Sequence, residues 1–167
     1  MTEDDGAATN RPRIVVAKRD PCRAPVATVV VGFDRDAVSQ AALAVGADLA
    51  GRLAARVVVV HVVNLGDYPI DPESLDWEQQ AQQTLTEERR IVEQVLADHP
   101  FGFRYEARHG SPVHALVSAA EAHDALLIVV GRHGSGVSEN LRRLLAGSVS
   151  RQLVKAAARP VLVVPHA

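Results

Sequence analysis

The sequence predicts an α/β domain built on one doubly wound parallel sheet with helices on both faces. Three observations carry that expectation. Runs of β-branched and aliphatic residues recur at 28–32, 57–63, 126–131 and 161–164, and uninterrupted apolar strands suit a sheet that is covered on both sides. Between them lie stretches whose apolar residues fall three and four apart, the period of an amphipathic helix. Strand and helix then alternate through five strands, which implies a parallel sheet with right-handed crossovers.

Taken in order, the first 25 residues differ from the rest. Charges and Pro12, Pro21 and Pro25 surround one apolar patch, Ile14-Val15-Val16-Ala17. Residues 1–25 read as a mobile N-terminal arm whose patch could add an edge strand or dock on a partner, and residues 26–167 as one folded domain. The first strand is about 28–33. Val38, Ala42, Val45, Leu49 and Leu53 mark the apolar face of the helix after it, and Asp36 stands where a carboxylate can cap the free N–H groups. The second strand is 57–63. A loop with Gly66, Pro69 and Pro72 leads to a long helix over about 75–97, with Trp77, Ala81, Leu85, Val92 and Leu96 as its buried stripe, and Pro100 bars its continuation.

The third strand, 103–108, alternates instead of running apolar, which puts it at a sheet edge. Ser111 caps the following helix, and Pro112 takes its first position, where no N–H is needed. The fourth strand is 126–130. A glycine-containing loop leads to a helix near 149–158, and Pro160 introduces the fifth strand, 161–164. That last strand would leave an aliphatic edge with unpaired backbone groups, an aggregation hazard unless it is covered. Pairing with a second copy about a two-fold axis would cover it. Folding Ile14-Val15-Val16 back over it would do the same within one chain.

Composition narrows the function. At 167 residues with 47% apolar content, the chain can bury one full core. A formal net charge of −2 offers no basic stripe for nucleic acid. No apolar run approaches the roughly 20 residues that span a bilayer, and Met1-Thr2-Glu3-Asp4-Asp5 lacks the basic and apolar regions of a signal peptide. A cytoplasmic protein without a membrane role is expected. One cysteine, Cys22, allows neither an internal disulfide nor a thiolate-rich metal site.

In open parallel sheets, ligands bind beyond the carboxyl ends of the strands, where the winding reverses. That nominates Gly32-Phe33-Asp34 and Gly131-Arg132-His133-Gly134-Ser135-Gly136, together with Gly147-Ser148 ahead of a helix. Glycines let backbone N–H groups approach phosphate oxygens, and a helix start adds the positive end of its dipole. The same glycines would also serve simply to turn the chain after a buried strand. The seven histidines are scattered without ligand spacing, so no metal is expected. His61, inside an apolar strand, reads as a hydrogen-bonded core histidine. Gly134-Ser135-Gly136 is too loose for a nucleophile elbow. Glu87-Glu88-Arg89-Arg90 reads as the solvated face of the long helix, and no group is recognisable as a base poised over a phosphate.

In combination, Gly131-Arg132-His133-Gly134, Gly147-Ser148-Val149 and Arg159-Pro160-Val161-Leu162-Val163-Val164-Pro165 resemble the C-terminal signature of the universal stress protein family. Val31-Gly32-Phe33-Asp34 and Val59-Val60-His61-Val62-Val63 agree in the first half, so the resemblance covers about residues 26–166. It implies a Rossmann-like five-stranded sheet of order 3-2-1-4-5, commonly dimeric through the final strand, here residues 160–165. In its ATP-binding members this strand edge holds the nucleotide. Carried over, Asp34 and the backbone of Val62 would recognise adenine or its sugar, Val130 and Gly131 would line the ribose, and Gly134, Gly147, Ser148 and Val149 would hold phosphates. The implied cofactor is ATP, AMP or ADP, with magnesium carried on the phosphates. The implied function is a stress-response module that signals through contacts with a protein partner. The alternatives are a nucleotide-free dimeric scaffold and a hydrolase or transferase acting on an adenylated substrate. Two departures stand out. Twelve residues separate Gly134 from Gly147, a longer stretch than the family's ATP-binding pattern. Asp36 stands where many relatives have a small hydroxyl residue, and a second carboxylate turned inward would weaken anion binding.

Overall fold

The computed structural model describes residues 14–63, 77–132 and 149–165. In chain order these hold β1 (Ile14–Arg19), β2 (Ala27–Phe33), α1 (Ala37–Arg52), β3 (Ala55–Val63), α2 (Trp77–Val95), β4 (Phe103–His109), α3 (Pro112–Ala122), β5 (Leu127–Gly131), α4 (Val149–Ala156) and β6 (Val161–Val164). The sheet order is β1-β4-β3-β2-β5-β6. The five expected strands are parallel neighbours in the expected order.

The sixth strand realises the edge-strand alternative for the Ile14–Ala17 patch and corrects the mobile-arm reading there. β1 lies antiparallel on β4, with Val15 opposite Glu106 and Lys18 opposite Arg104. Residues 14–19 are therefore part of the sheet, and Cys22 and Arg23 donate their N–H groups to the Pro100 carbonyl at 2.9 and 3.0 Å. Gly102 makes this crossing possible: its φ is +73°, and a Cβ there would meet Arg19 O at 2.8 Å and the Pro21 nitrogen at 2.9 Å. The expected arm is thus tied down from residue 14 onward. Two further expectations fall with it. β4 is an inner strand, and its alternation sends Phe103 and Tyr105 into the core under α1 and α2 and Arg104, Glu106 and Arg108 into an ion-paired cluster on the other face. The 14–16 patch sits at the opposite end of the sheet from β6, so it cannot cover that edge.

Strand pleating sends alternate residues to opposite faces. Val29, Val31 and Phe33 of β2, Val57 and Val59 of β3 and Tyr105 of β4 pack with Ala42 and Leu43 of α1 and Val92 of α2. Val30, Val58, Val60, Ile128 and Val130 pack on the other face with Leu116 and Ala119 of α3 and Leu153 of α4. Among the described residues no helix is long and apolar enough to cross a membrane.

α1 starts as expected, with the Asp36 carboxylate accepting the Ser39 N–H at 2.7 Å. Ser111 does head α3, but its side chain makes no capping bond. The buried stripe of α1 also differs from the expected one. Val38, Ala42, Gly46 and Ala50 face the sheet with Leu43, whereas Val45 is exposed. Small residues four apart let the helix axis come close to β2, and at Gly46 a Cβ would stand 2.7 Å from Val31 Cγ2. Gly51, on the same helix, has nothing within 4 Å of that position. Helix propensity favours replacing either glycine. Gly51→Ala is expected to raise stability by about 0.5–1 kcal/mol. Gly46→Val should instead lower it by about 1–3 kcal/mol through overpacking. Urea unfolding of both variants checks the contrast.

Candidate functional site

The carboxyl ends of β2, β3 and β5 form one rim. Register places Phe33 beside His61 and Val31 beside Val129, so Gly32, Phe33, Asp34, Val62, Val130 and Gly131 come together there. Val149 opens α4 on the side of the sheet that carries α3. Gly134, Gly147 and Ser148 lie outside the described residues.

Each rim residue has a local cause. A Cβ on Gly32 would meet Val130 Cγ1 at 3.1 Å and Leu116 Cδ2 at 3.3 Å, so the bare Cα leaves room for the core that holds α3. Gly131 is more restricted. A Cβ there would stand 2.6 Å from Val38 Cγ1 and 2.9 Å from Val38 O, so this glycine admits the first turn of α1 against β5. Asp34 is half-buried. Its Oδ1 accepts the Arg35 N–H at 2.8 Å, and its carbonyl accepts from the Ser39 hydroxyl. The Asp36 carboxylate is engaged at the start of α1, where it accepts the Ser39 N–H.

Beneath this rim the structure reveals a buried polar group that sequence reasoning misread. The sequence pattern puts Glu88 on the solvated face of α2, yet it is fully buried. Its neighbours behave as expected: Glu87, Arg89 and Arg90 are exposed, with Arg90 on Glu87 at 2.7 Å and Arg89 on Glu93 at 2.9 Å. The Glu88 carboxylate accepts the Tyr105 hydroxyl at 2.7 Å, lies 3.2 Å from Arg35 Nε and 3.7 Å from His61 Nε2. His61 Nδ1 lies 3.3 Å from the Phe33 carbonyl, a core histidine as the sequence suggested. Position 88 stands three residues after Leu85 and four before Val92, but position 89 fits the same stripe with the spacings exchanged, so periodicity alone does not single out Glu88.

A second buried carboxylate, Glu106 of β4, occupies the opposite face. It pairs with Arg108 Nη2 at 2.7 Å and His123 Nε2 at 2.9 Å, with Arg104 Nη1 at 3.8 Å. Burial alone would push its carboxyl up, but hydrogen bonds from His123 and Arg108 and the Arg108 charge override burial and hold it at about 2. Its folded value lies below its unfolded value, so the stabilisation is complete above about pH 4.5 and is lost as pH falls toward 2. Acid titration of the parent and Glu106→Gln should differ by roughly 2–3 kcal/mol across that window. Parallel curves would remove the linkage. Among the described residues no group of three His, Cys, Asp or Glu side chains is placed to hold a metal.

The universal stress protein family profile matches residues 26–165. Universal stress protein Rv2005c of Mycobacterium tuberculosis is 33% identical over 150 residues, which cover 86% of this chain and 46% of that protein. A universal stress protein of Mycolicibacterium smegmatis is 32% identical over 138 residues, covering 81% and 45%. The chain thus spans just under half the length of these relatives. Among solved structures, UspA from Lactobacillus plantarum shares the fold with a TM-score of 0.62 at 23% identity, covering 85% of this chain and 99% of that one. A universal stress protein in complex with cAMP aligns with a TM-score of 0.56 at 27% identity, covering 83% and 95%. With a family profile spanning the whole parallel sheet and relatives above 30% identity over most of the chain, this chain belongs to the universal stress protein family.

Proposed function

We propose that the chain is an adenine-nucleotide-binding stress-response module that works inside the cell by altering its contacts with a protein partner. The observation that carries this reading is the topology at the rim. β2 and β5 are neighbours, the chain winds from β2 toward β3 on one side and from β5 toward β6 on the other, and Asp34 stands at the end of β2 beside that division. Such switch points receive ligands in open parallel sheets. The cAMP complex of a related universal stress protein supports an adenine nucleotide as the ligand class.

On this reading Asp34 and the main chain of Val62 hold the adenosine, with Gly32 and Phe33 shaping the strand end beneath. Val130 and Gly131 line the ribose, and Gly134, Gly147, Ser148 and the start of α4 at Val149 take the phosphates. ATP, ADP or AMP fits that division of labour. Magnesium would enter on the phosphates and asks for no protein ligand. One observation favours a nucleotide-free scaffold instead: the space a Gly131 side chain would fill is already taken by Val38. Titration calorimetry with ATP separates the two. The parent should bind, and Asp34→Ala should weaken binding roughly tenfold or more, as expected for loss of a charged hydrogen bond. A parent that takes up no ATP would leave the scaffold reading.

We also propose that the module is a homodimer through residues 160–165. β6 ends the sheet, and Leu162 is 38% exposed on it, the kind of apolar edge that soluble proteins cover or pair. Val163 packs into the α3 core and is unsuitable as a probe. Leu162→Lys should convert a sedimenting dimer to a monomer at micromolar concentration without loss of fold. A parent that is monomeric there ends the proposal.

A further inference from the structure

We infer that Glu88 is a positioning residue for this rim: from α2 it fixes the turn at residues 33–35, so nucleoside affinity depends on a carboxylate that the nucleoside does not touch. The inference rests on the nucleotide reading above and adds to it a residue outside the family's motif positions.

Moving a carboxylate out of water costs several kcal/mol, and a well-packed apolar residue in its place is often neutral or stabilising. An aliphatic residue at position 88 would complete the stripe of α2. The carboxylate there instead reaches both flanks of Asp34. On one flank Arg35 Nε lies 3.2 Å from Oε1. On the other, His61 stands between Glu88 Oε2 at 3.7 Å and the Phe33 carbonyl at 3.3 Å. Tyr105 anchors the carboxylate from β4 at 2.7 Å, and its ring meets Phe33 edge-on at 6.3 Å. Side chains on both flanks of Asp34 therefore converge on one point in α2, by an ion pair from Arg35 and through His61 from the Phe33 carbonyl. Asp34 itself is held by the Arg35 N–H and the Ser39 hydroxyl. Loosening the turn would cost orientation of the Asp34 carboxylate toward a ligand.

Two variants and a control test this. Glu88→Gln replaces the carboxylate by an amide of the same shape. Glu88→Leu combined with Tyr105→Phe removes the carboxylate together with the hydroxyl it accepts from, so the core can close without a buried polar group. The control, Glu106→Gln, disturbs the cluster of Arg108 and His123 on the other face of the sheet. Calorimetry with adenosine and with ATP, melting temperature and hydrogen exchange of the Arg35 amide are read on all of them. Both Glu88 variants should weaken adenosine and ATP by the same factor, roughly tenfold, and speed Arg35 exchange. In the double variant this should happen with the melting temperature unchanged or raised. Glu106→Gln should lower the melting temperature and leave adenosine affinity and Arg35 exchange alone. Unchanged adenosine affinity in the Glu88 variants, or an equal loss in the control, would overturn the inference. If the parent binds neither adenosine nor ATP, the nucleotide reading falls. The Arg35 amide then decides on Glu88 alone: faster exchange keeps it as the pin of the turn, and unchanged exchange removes it.

Discussion

α1 lies against β2 and β5 at a distance that excludes a side chain in two places, over Val31 at Gly46 and under Val38 at Gly131. Much else follows from that close approach. It leaves Val29 and Val31 of β2 and Leu43 of α1 fully inaccessible. It also sets the start of α1, and with it Asp34, Asp36 and Ser39, directly at the end of β2. Interiors are packed as densely as organic crystals, so a displacement of this helix would be transmitted to the rim and not absorbed. Small residues at Ala42, Gly46 and Ala50 are the sequence's contribution to that geometry.

The sheet carries a buried carboxylate on each face, and both meet at β4. Glu106 is surrounded by Arg108, His123 and Arg104. Glu88 arrives from α2 to meet Tyr105, His61 and Arg35. Tyr105 and Glu106 are adjacent in sequence and point to opposite sides, so one strand organises two separate polar groups through the pleat alone. An apolar core tolerates many rearrangements of similar volume. A buried charge does not, because each alternative packing would strand it without its partners. These clusters therefore constrain how α2 and α3 sit on the sheet more tightly than their apolar neighbours can.

The two ends of the sheet are handled differently. β1 carries Lys18 and Arg19 and is bulged between Val15 and Ala17, features that discourage further pairing. β6, shorter at four residues, carries no charge over Val161–Val164 and is bounded by Pro160 and Pro165.

The five parallel strands, their order and the helices between them were legible in the sequence, because apolar runs and periodic stripes are local signals that tertiary contacts merely reinforce. The rim was legible for the same reason: Gly32, Phe33, Asp34, Val130 and Gly131 stand where apolar strands end, and strand ends can be counted along a chain. The family followed from those strand ends read together with the glycine motif. Only the tertiary structure decided the rest. Ile14–Arg19 looked like an arm since a short patch among charges shows its worth only when β4 offers an open edge to pair with. Val45 looked buried and Glu88 looked solvated, since periodicity identifies a face but not which residues a neighbouring surface will touch. Glu88 is tolerable inside the protein only because Tyr105, His61 and Arg35, brought from three other parts of the chain, converge on it. No window of sequence contains that meeting, and the energy that makes it possible exists only once the chain has folded.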